Sequence, residues 1–91
     1  MKRLDSKFSI DGERVVKTAN REPIPDDEPL FLVRARDRLA LPLLRMYLEL
    51  SRADACNDYH FAKLNRTISD FAEFAKNHPE RMKQPSITRG M

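Results

Sequence analysis

The sequence predicts an α+β domain in which a short antiparallel β-sheet, made of an N-terminal hairpin and one further strand, packs on a C-terminal helical hairpin. Two observations support this class. Short apolar segments flank a turn dipeptide in the N-terminal third of the chain. In the C-terminal half, apolar residues recur with a helical period in two segments, and the short polar connection between them favours antiparallel packing.

The strands of the hairpin are expected on either side of Asp11 and Gly12. Apolar segments at 8–10 and 15–16 flank this dipeptide, whose glycine tolerates the positive φ of a two-residue turn. Residues 19–29 contain three prolines and an acidic triplet, so they predict an ordered loop. Residues 30–35 resume an extended apolar pattern and predict the third strand.

The first helix is predicted from one apolar face, which is expected to pack inward. Its members follow the i, i+4, i+7, i+8, i+11 spacing and are Leu39, Leu43, Met46, Tyr47 and Leu50. Asp37 is the expected N-cap. Pro42 has no N–H to donate, which is harmless only in the first turn, so the helix proper is expected to begin near Ala40.

The second helix is expected to begin after a cap at Asn57 or Asp58 and to end at residues 77–79. Its predicted buried stripe consists of Phe61, Leu64, Ile68, Phe71, Ala72 and Ala75. Residues 1–78 are expected to form a single domain. Residues 79–91 have few apolar anchors and predict an extended basic arm that docks on the domain or on a neighbouring molecule.

Composition limits the function classes. The 91 residues suffice for an independent core with little to spare, which favours a homo-oligomer. Positive and negative residues are mixed along most of the chain, whereas nucleic-acid binding needs a one-sided basic face, so nucleic acid is a disfavoured partner. The single cysteine, together with the lack of a signal-peptide pattern and of a membrane-spanning apolar run, predicts a cytoplasmic protein without membrane attachment.

Three arginines alternate at the end of the predicted third strand. Side chains two apart on a strand share a face, and guanidinium groups bind phosphate oxygens in bidentate fashion, so Arg34, Arg36 and Arg38 are candidate ligands of a small anion. Asp37 and Tyr47 complete the candidate ligand-binding set. The alternative is that the arginines form surface ion pairs with Asp37 and with the acidic triplet.

No cofactor, metal site or catalytic group is predicted. The acidic triplet at 26–28 lacks further metal ligands at a defined spacing, and a zinc site at Cys56 and His60 would lack a fourth ligand. The same cysteine and histidine lack an orienting third residue and a recognisable oxyanion-hole motif. The chain is therefore not expected to be an enzyme.

A resemblance to known proteins lies in residues 23–37, with the sequence PIPDDEPLFLVRARD, in Tyr47 and in the HPERM sequence at 78–82. In these segments the chain resembles a family of small phage and prophage proteins. The resemblance implies a context and no particular site residues: many such short, single-domain products bind and block a component of the host.

Two hypotheses from different classes follow. The first is a non-enzymatic protein that sequesters a small anionic ligand, such as a nucleotide second messenger of host defence, and the arginine row favours it. The second is a protein–protein inhibitor module that covers a macromolecular surface, for example a host CRISPR or other defence complex. Phe74, which falls off the second helix's predicted stripe, is a candidate partner-binding residue together with Arg81 and Lys83 in the basic arm.

Overall fold

Two β-strands come first along the chain and two α-helices follow, so the predicted α+β class is confirmed. The computed structural model describes residues 5–84. The chain divides into two compact units, Met1–Phe31 and Leu32–Met91, which are described in turn. The expectation of one domain over residues 1–78 stays a prediction.

The first unit is built on the predicted hairpin. Strand β1 (Phe8–Asp11) pairs antiparallel with β2 (Arg14–Lys17), and the register places Ser9 opposite Val16. Gly12 has a φ of 63° in the turn, a backbone conformation that glycine adopts without steric cost. The Asp-Gly dipeptide therefore marks the turn correctly.

The outer side of β2 is paired with residues 22–24. The amide of Lys17 donates to the carbonyl of Glu22 at 2.8 Å, and the amide of Ile24 donates to the carbonyl of Val15 at 2.9 Å. Pro23, which cannot donate, forms an isolated bridge opposite Val16. Val16 is only 2% exposed and is the buried apolar centre of this hairpin.

The third strand predicted at residues 30–35 does not form. Residues 30–34 lie outside the described strands, and the amide of Asp37 donates to the carbonyl of Arg34 at 3.0 Å to close a turn. A strand needs a partner backbone, and β2 already pairs with residues 22–24. Leu30, Phe31 and Leu32 are consequently exposed, Phe31 to 86%.

Helix α1 (Ala40–Ala53) begins at the predicted residue, with Pro42 in its first turn. Asp37, the predicted N-cap, instead lies two residues before the N-cap. The N-cap is Leu39, which makes no side-chain capping bond. The Asp37 carboxylate accepts from the amide of Leu39 at 2.8 Å, so it stabilises the turn that leads into the helix.

Helix α2 (Asp58–Asn77) begins and ends where the sequence predicts. Asn57 is its N-cap, and the Asn57 side chain accepts a hydrogen bond from the amide of His60 at 2.9 Å. Every member of the predicted apolar stripe of α2 is buried or half-buried, which confirms it. A short connection that includes Ala55 at a φ of 55° joins the two helices.

The two helices pack against each other through the side of α1 that carries Ala40 and Ser51. Ala40 is 1% exposed, Ser51 is 5% exposed, and Leu64 of α2 is 9% exposed. The Ser51 hydroxyl and the Nε2 atom of His60 are 3.0 Å apart and share a hydrogen bond between the helices. The buried polar group is thus satisfied, as it must be to avoid a desolvation penalty.

Replacing Asn57 by alanine is expected to lower the free energy of unfolding by about 1 kcal/mol, because the first turn of α2 loses its side-chain acceptor. Asn57→Ser keeps an oxygen at this position and is expected to cost only a few tenths of a kcal/mol. Urea denaturation followed by circular dichroism measures both. Equal stability of the alanine and serine variants would contradict the capping role.

Candidate functional site

The apolar face that the sequence assigns to the core lies on the surface. The α1 stripe is the set of five side chains on this face, and their exposed fractions are 60% for Leu39, 47% for Leu43, 64% for Met46, 52% for Tyr47 and 68% for Leu50. The prediction that this face packs inward is therefore wrong. Helix α2 covers the adjacent face of α1 instead, the one with Ala40 and Ser51.

The reason for the error lies in the composition of α1, which is apolar on two faces. Arg45, Glu49, Ser51 and Arg52 are the polar side chains within its sequence ALPLLRMYLELSRA. A helix that is apolar over most of its circumference is usually covered on most sides. In the part of the chain that the structure describes, only one of the two apolar faces receives such cover.

Charged residues border the α1 stripe along one edge. Arg45, Met46, Glu49 and Leu50 line a shallow concavity there. The Nη1 atom of Arg52 lies 2.7 Å from the Oε1 atom of Glu49, and both side chains are more than half exposed. An apolar centre with a charged rim is the arrangement of protein–protein interfaces, and the largest apolar patch of a soluble protein is often functional.

Tyr47, predicted as a ligand-binding residue, belongs to this stripe. Its ring centroid lies 5.7 Å from that of His60, with the planes inclined at 39°. The ring is therefore anchored on one side against α2, while about half of the residue remains exposed. This placement associates Tyr47 with the apolar surface of α1.

The arginine row lies on a turn instead of a strand. Arg34 and Arg38 are exposed and Arg36 is half-buried. The amide of Lys83 donates to the carbonyl of Arg36 at 2.8 Å, and the amide of Arg38 donates to the carbonyl of Lys83 at 2.8 Å. These two bonds form a parallel bridge between Asp37 and Lys83. We call Arg36, Arg38 and Lys83 the cationic junction.

The junction joins residues from two separate predictions, because the sequence predicts ligand binding for Arg36 and Arg38 and partner binding for Lys83. In the described part of the second unit, no ion pair links a carboxylate to Arg34, Arg36 or Arg38. The nearest acidic residue in sequence, Asp37, uses one carboxylate oxygen to accept from Leu39. The junction is held by backbone hydrogen bonds, so its charged groups are not consumed in building it.

Phe74, a candidate partner-binding residue, is half-buried, and its role in partner binding stays a prediction. The guanidinium carbon of Arg81 lies 4.8 Å from the centre of the Phe74 ring, within cation–π range. The centre of the His78 ring lies 5.0 Å from the centre of the Phe74 ring. Pro79–Arg81 forms a short 3-10 helix, not the extended chain expected for this part of the arm. Residues 85–91 of the predicted arm lie outside the described residues.

Other chemistry is sparse within residues 5–84. No group of three or more His, Cys, Asp and Glu residues there is arranged to hold a metal ion. His60 shares its Nε2 hydrogen bond with Ser51, and half-buried Cys56 donates its amide to the Ser51 carbonyl at 3.1 Å. None of the helices described is long and apolar enough to cross a membrane.

Comparisons with protein-family models, curated proteins and solved structures found no match to this chain. The resemblance to small phage proteins therefore stays a prediction.

Sequence reasoning missed three features: the exposure of the α1 stripe, the part-buried Ser51–His60 hydrogen bond and the backbone pairing of Lys83 with Arg36 and Arg38. A signal for the first was present, because the apolar residues of α1 exceed what one packing face requires. The other two join residues whose contact no local pattern encodes.

Replacing Lys83 by proline is expected to open the cationic junction. Proline lacks the N–H that donates to Arg36, and Met82 already has a φ of −70° and a ψ of 134°, values compatible with a following proline. The expected loss is about 1 kcal/mol of local stability, measured as faster hydrogen exchange of the Arg38 amide. Lys83→Ala keeps the backbone donor and should leave that exchange rate unchanged; similar acceleration in both variants would contradict backbone pairing.

Proposed function

We propose that this chain is a non-enzymatic protein-interaction module that binds through the α1 stripe. The observation that supports the proposal is the imbalance between buried and exposed apolar side chains. Val16, Ala40 and Leu64 are the buried apolar residues in the described part of the chain, whereas all five members of the stripe are about half exposed or more. A protein partner would remove this surface from water.

The energetic gain from such binding is substantial. Fully covering a large apolar side chain contributes about 1.5–3 kcal/mol, and these side chains are roughly half exposed, so each offers ~1 kcal/mol. Tyrosine and methionine, both on the stripe, are enriched at the centres of interfaces. The flanking Arg45 and Glu49 supply charges of both signs, which favours an apolar partner surface bordered by matching charges.

The phage-type resemblance gives this module a setting. A small product of that kind acts in the bacterial cytoplasm, and covering a surface of a host defence complex would inhibit it without catalysis. This role corresponds to the second of the two hypotheses drawn from the sequence. The arginine row, on which the first hypothesis rested, lies on a turn and not on the expected strand.

A second candidate function is the binding of a small anion at the cationic junction. The observation in its favour is that backbone bonds place Lys83 opposite Asp37, beside the Arg36–Arg38 segment, and that no ion pair in the described second unit involves these arginines. Arginine and lysine together suit phosphate groups, because the guanidinium fork binds two oxygens and the ammonium acts as a point charge. Nucleic acid remains a weaker alternative, since the charges of the chain are mixed.

Site-specific photo-crosslinking tests the protein-interaction proposal. A benzophenone amino acid placed at Leu43, on the stripe, is expected to form protein adducts in cells, because the partner must lie against this side chain. The same group at Glu73, an exposed residue of α2, is the matched control and is expected to form none. Mass spectrometry identifies the adducts.

A Leu50→Glu substitution in the Leu43-labelled protein should abolish those adducts while the circular dichroism spectrum stays unchanged, because Leu50 is 68% exposed. Equal adducts from Leu43 and Glu73, or adducts that survive Leu50→Glu, would rule out the stripe as the binding surface.

Anion binding at the junction predicts thermal stabilisation by pyrophosphate and by nucleotides. A ligand at 100 times its Kd adds about 2.7 kcal/mol to the free energy of unfolding. The double substitution Arg36→Gln and Arg38→Gln is expected to remove the shift, whereas Arg45→Gln, on the stripe edge, is expected to keep it. A shift that persists in the double variant would contradict this second function.

A further inference from the structure

We propose that the α1 stripe binds a second copy of the same chain, so that two α1 helices pack antiparallel about a two-fold axis between Met46 and Tyr47. This inference rests on the proposed function, protein binding through the stripe, and it names a second copy, in place of a host component, as the protein that covers this surface. The assembly would bring two helical hairpins together through their α1 helices. Three properties of the stripe select a second copy over an unrelated protein.

The first property is the symmetry of the stripe along the helix. In an antiparallel pair, residues equally far from the two-fold axis lie opposite each other. With the axis between Met46 and Tyr47, these two residues face each other across the pair, and Leu43 faces Leu50 of the second copy. Four of the five stripe residues therefore meet apolar residues, and Leu39 lies at the outer end of the contact.

The second property is charge complementarity. Arg45 and Glu49 lie two residues before and two residues after Tyr47, on the charged edge of the stripe. In an antiparallel pair, the same edges of the two helices lie alongside each other, so Arg45 of one copy lies near Glu49 of the other. The pairing occurs twice because of the symmetry. Arg52, which pairs with Glu49 at 2.7 Å, lies next to the same carboxylate and extends this network.

The third property is the balance between exposed area and core size. The stripe offers on the order of 500 Å² in each copy, so two copies would bury ~1,000 Å², the lower limit for a specific interface. Self-association would also add buried apolar area, which is scarce here because few apolar side chains are fully buried within residues 5–84. The pairing predicts a dimer that dissociates on dilution.

Disulfide crosslinking of the full chain tests both the partner and the register. The native Cys56 is first replaced by serine, and a single cysteine is then placed at Met46 or at Leu39, both of which are exposed. Position 46 lies beside the proposed axis, so two copies of it approach each other. Position 39 lies more than seven residues from the axis, or about 11 Å along each helix, which puts its two copies ~22 Å apart.

A disulfide requires Cα atoms within about 7 Å, so the Met46→Cys protein is expected to form covalent dimers at least about tenfold faster than the Leu39→Cys protein. Sedimentation equilibrium of the unmodified chain is expected to show a concentration-dependent dimer, and Leu43→Glu is expected to abolish it. Circular dichroism confirms that each variant retains its helices.

Two results would overturn the inference. Comparable crosslinking at positions 39 and 46 would exclude the antiparallel register, and a chain that stays monomeric at all concentrations would exclude self-association. If the chain is monomeric, adducts between position 43 and a different protein would still support the proposed function. The absence of any adduct would contradict both the self-association and the proposed function.

Discussion

The first helix carries apolar residues on two faces, and the described chain covers only one of them. This constraint governs the second unit. The face with Ala40 and Ser51 packs against α2, and the Ser51–His60 hydrogen bond joins the two helices there. Once that face is buried, the geometry of a helix leaves the α1 stripe pointing elsewhere. The exposed surface is thus a direct consequence of how the hairpin closes.

The cationic junction depends on a different kind of contact. Backbone bonds from Lys83 to Arg36 and from Arg38 to Lys83 tie the segment after α2 to the turn before α1. Because main-chain groups make this connection, the charged side chains are left for other uses. Three cationic residues and an apolar stripe therefore occur in one unit, and each set has its own candidate partner. The case for a binding partner is stronger at the apolar stripe, because exposing apolar side chains to water costs free energy whereas water solvates exposed cations well.

Local signals were enough to locate the regular elements. Gly12 marks the hairpin turn by its tolerance of positive φ, Pro42 sets the start of α1, and Asn57 caps α2, because each effect acts within a few residues of its origin. The prediction of a third strand was wrong because strand pairing depends on distant residues. Residues 30–34 have the composition of a strand but no described strand partner. The predicted N-cap at Asp37 was wrong because its carboxylate caps a turn that precedes the helix.

Hydrophobic period, turn residues and caps act at short range, so the α+β class, the two helices, the hairpin and the inward stripe of α2 follow from local patterns. Packing between distant segments sets which face of α1 is buried and which residues meet at the junction. A helix with two apolar faces has two ways to satisfy the hydrophobic effect, and only its packing partner chooses between them. Likewise, Arg36 and Lys83 are far apart along the chain, and only the return of the chain after α2 brings their backbones into hydrogen-bonding distance.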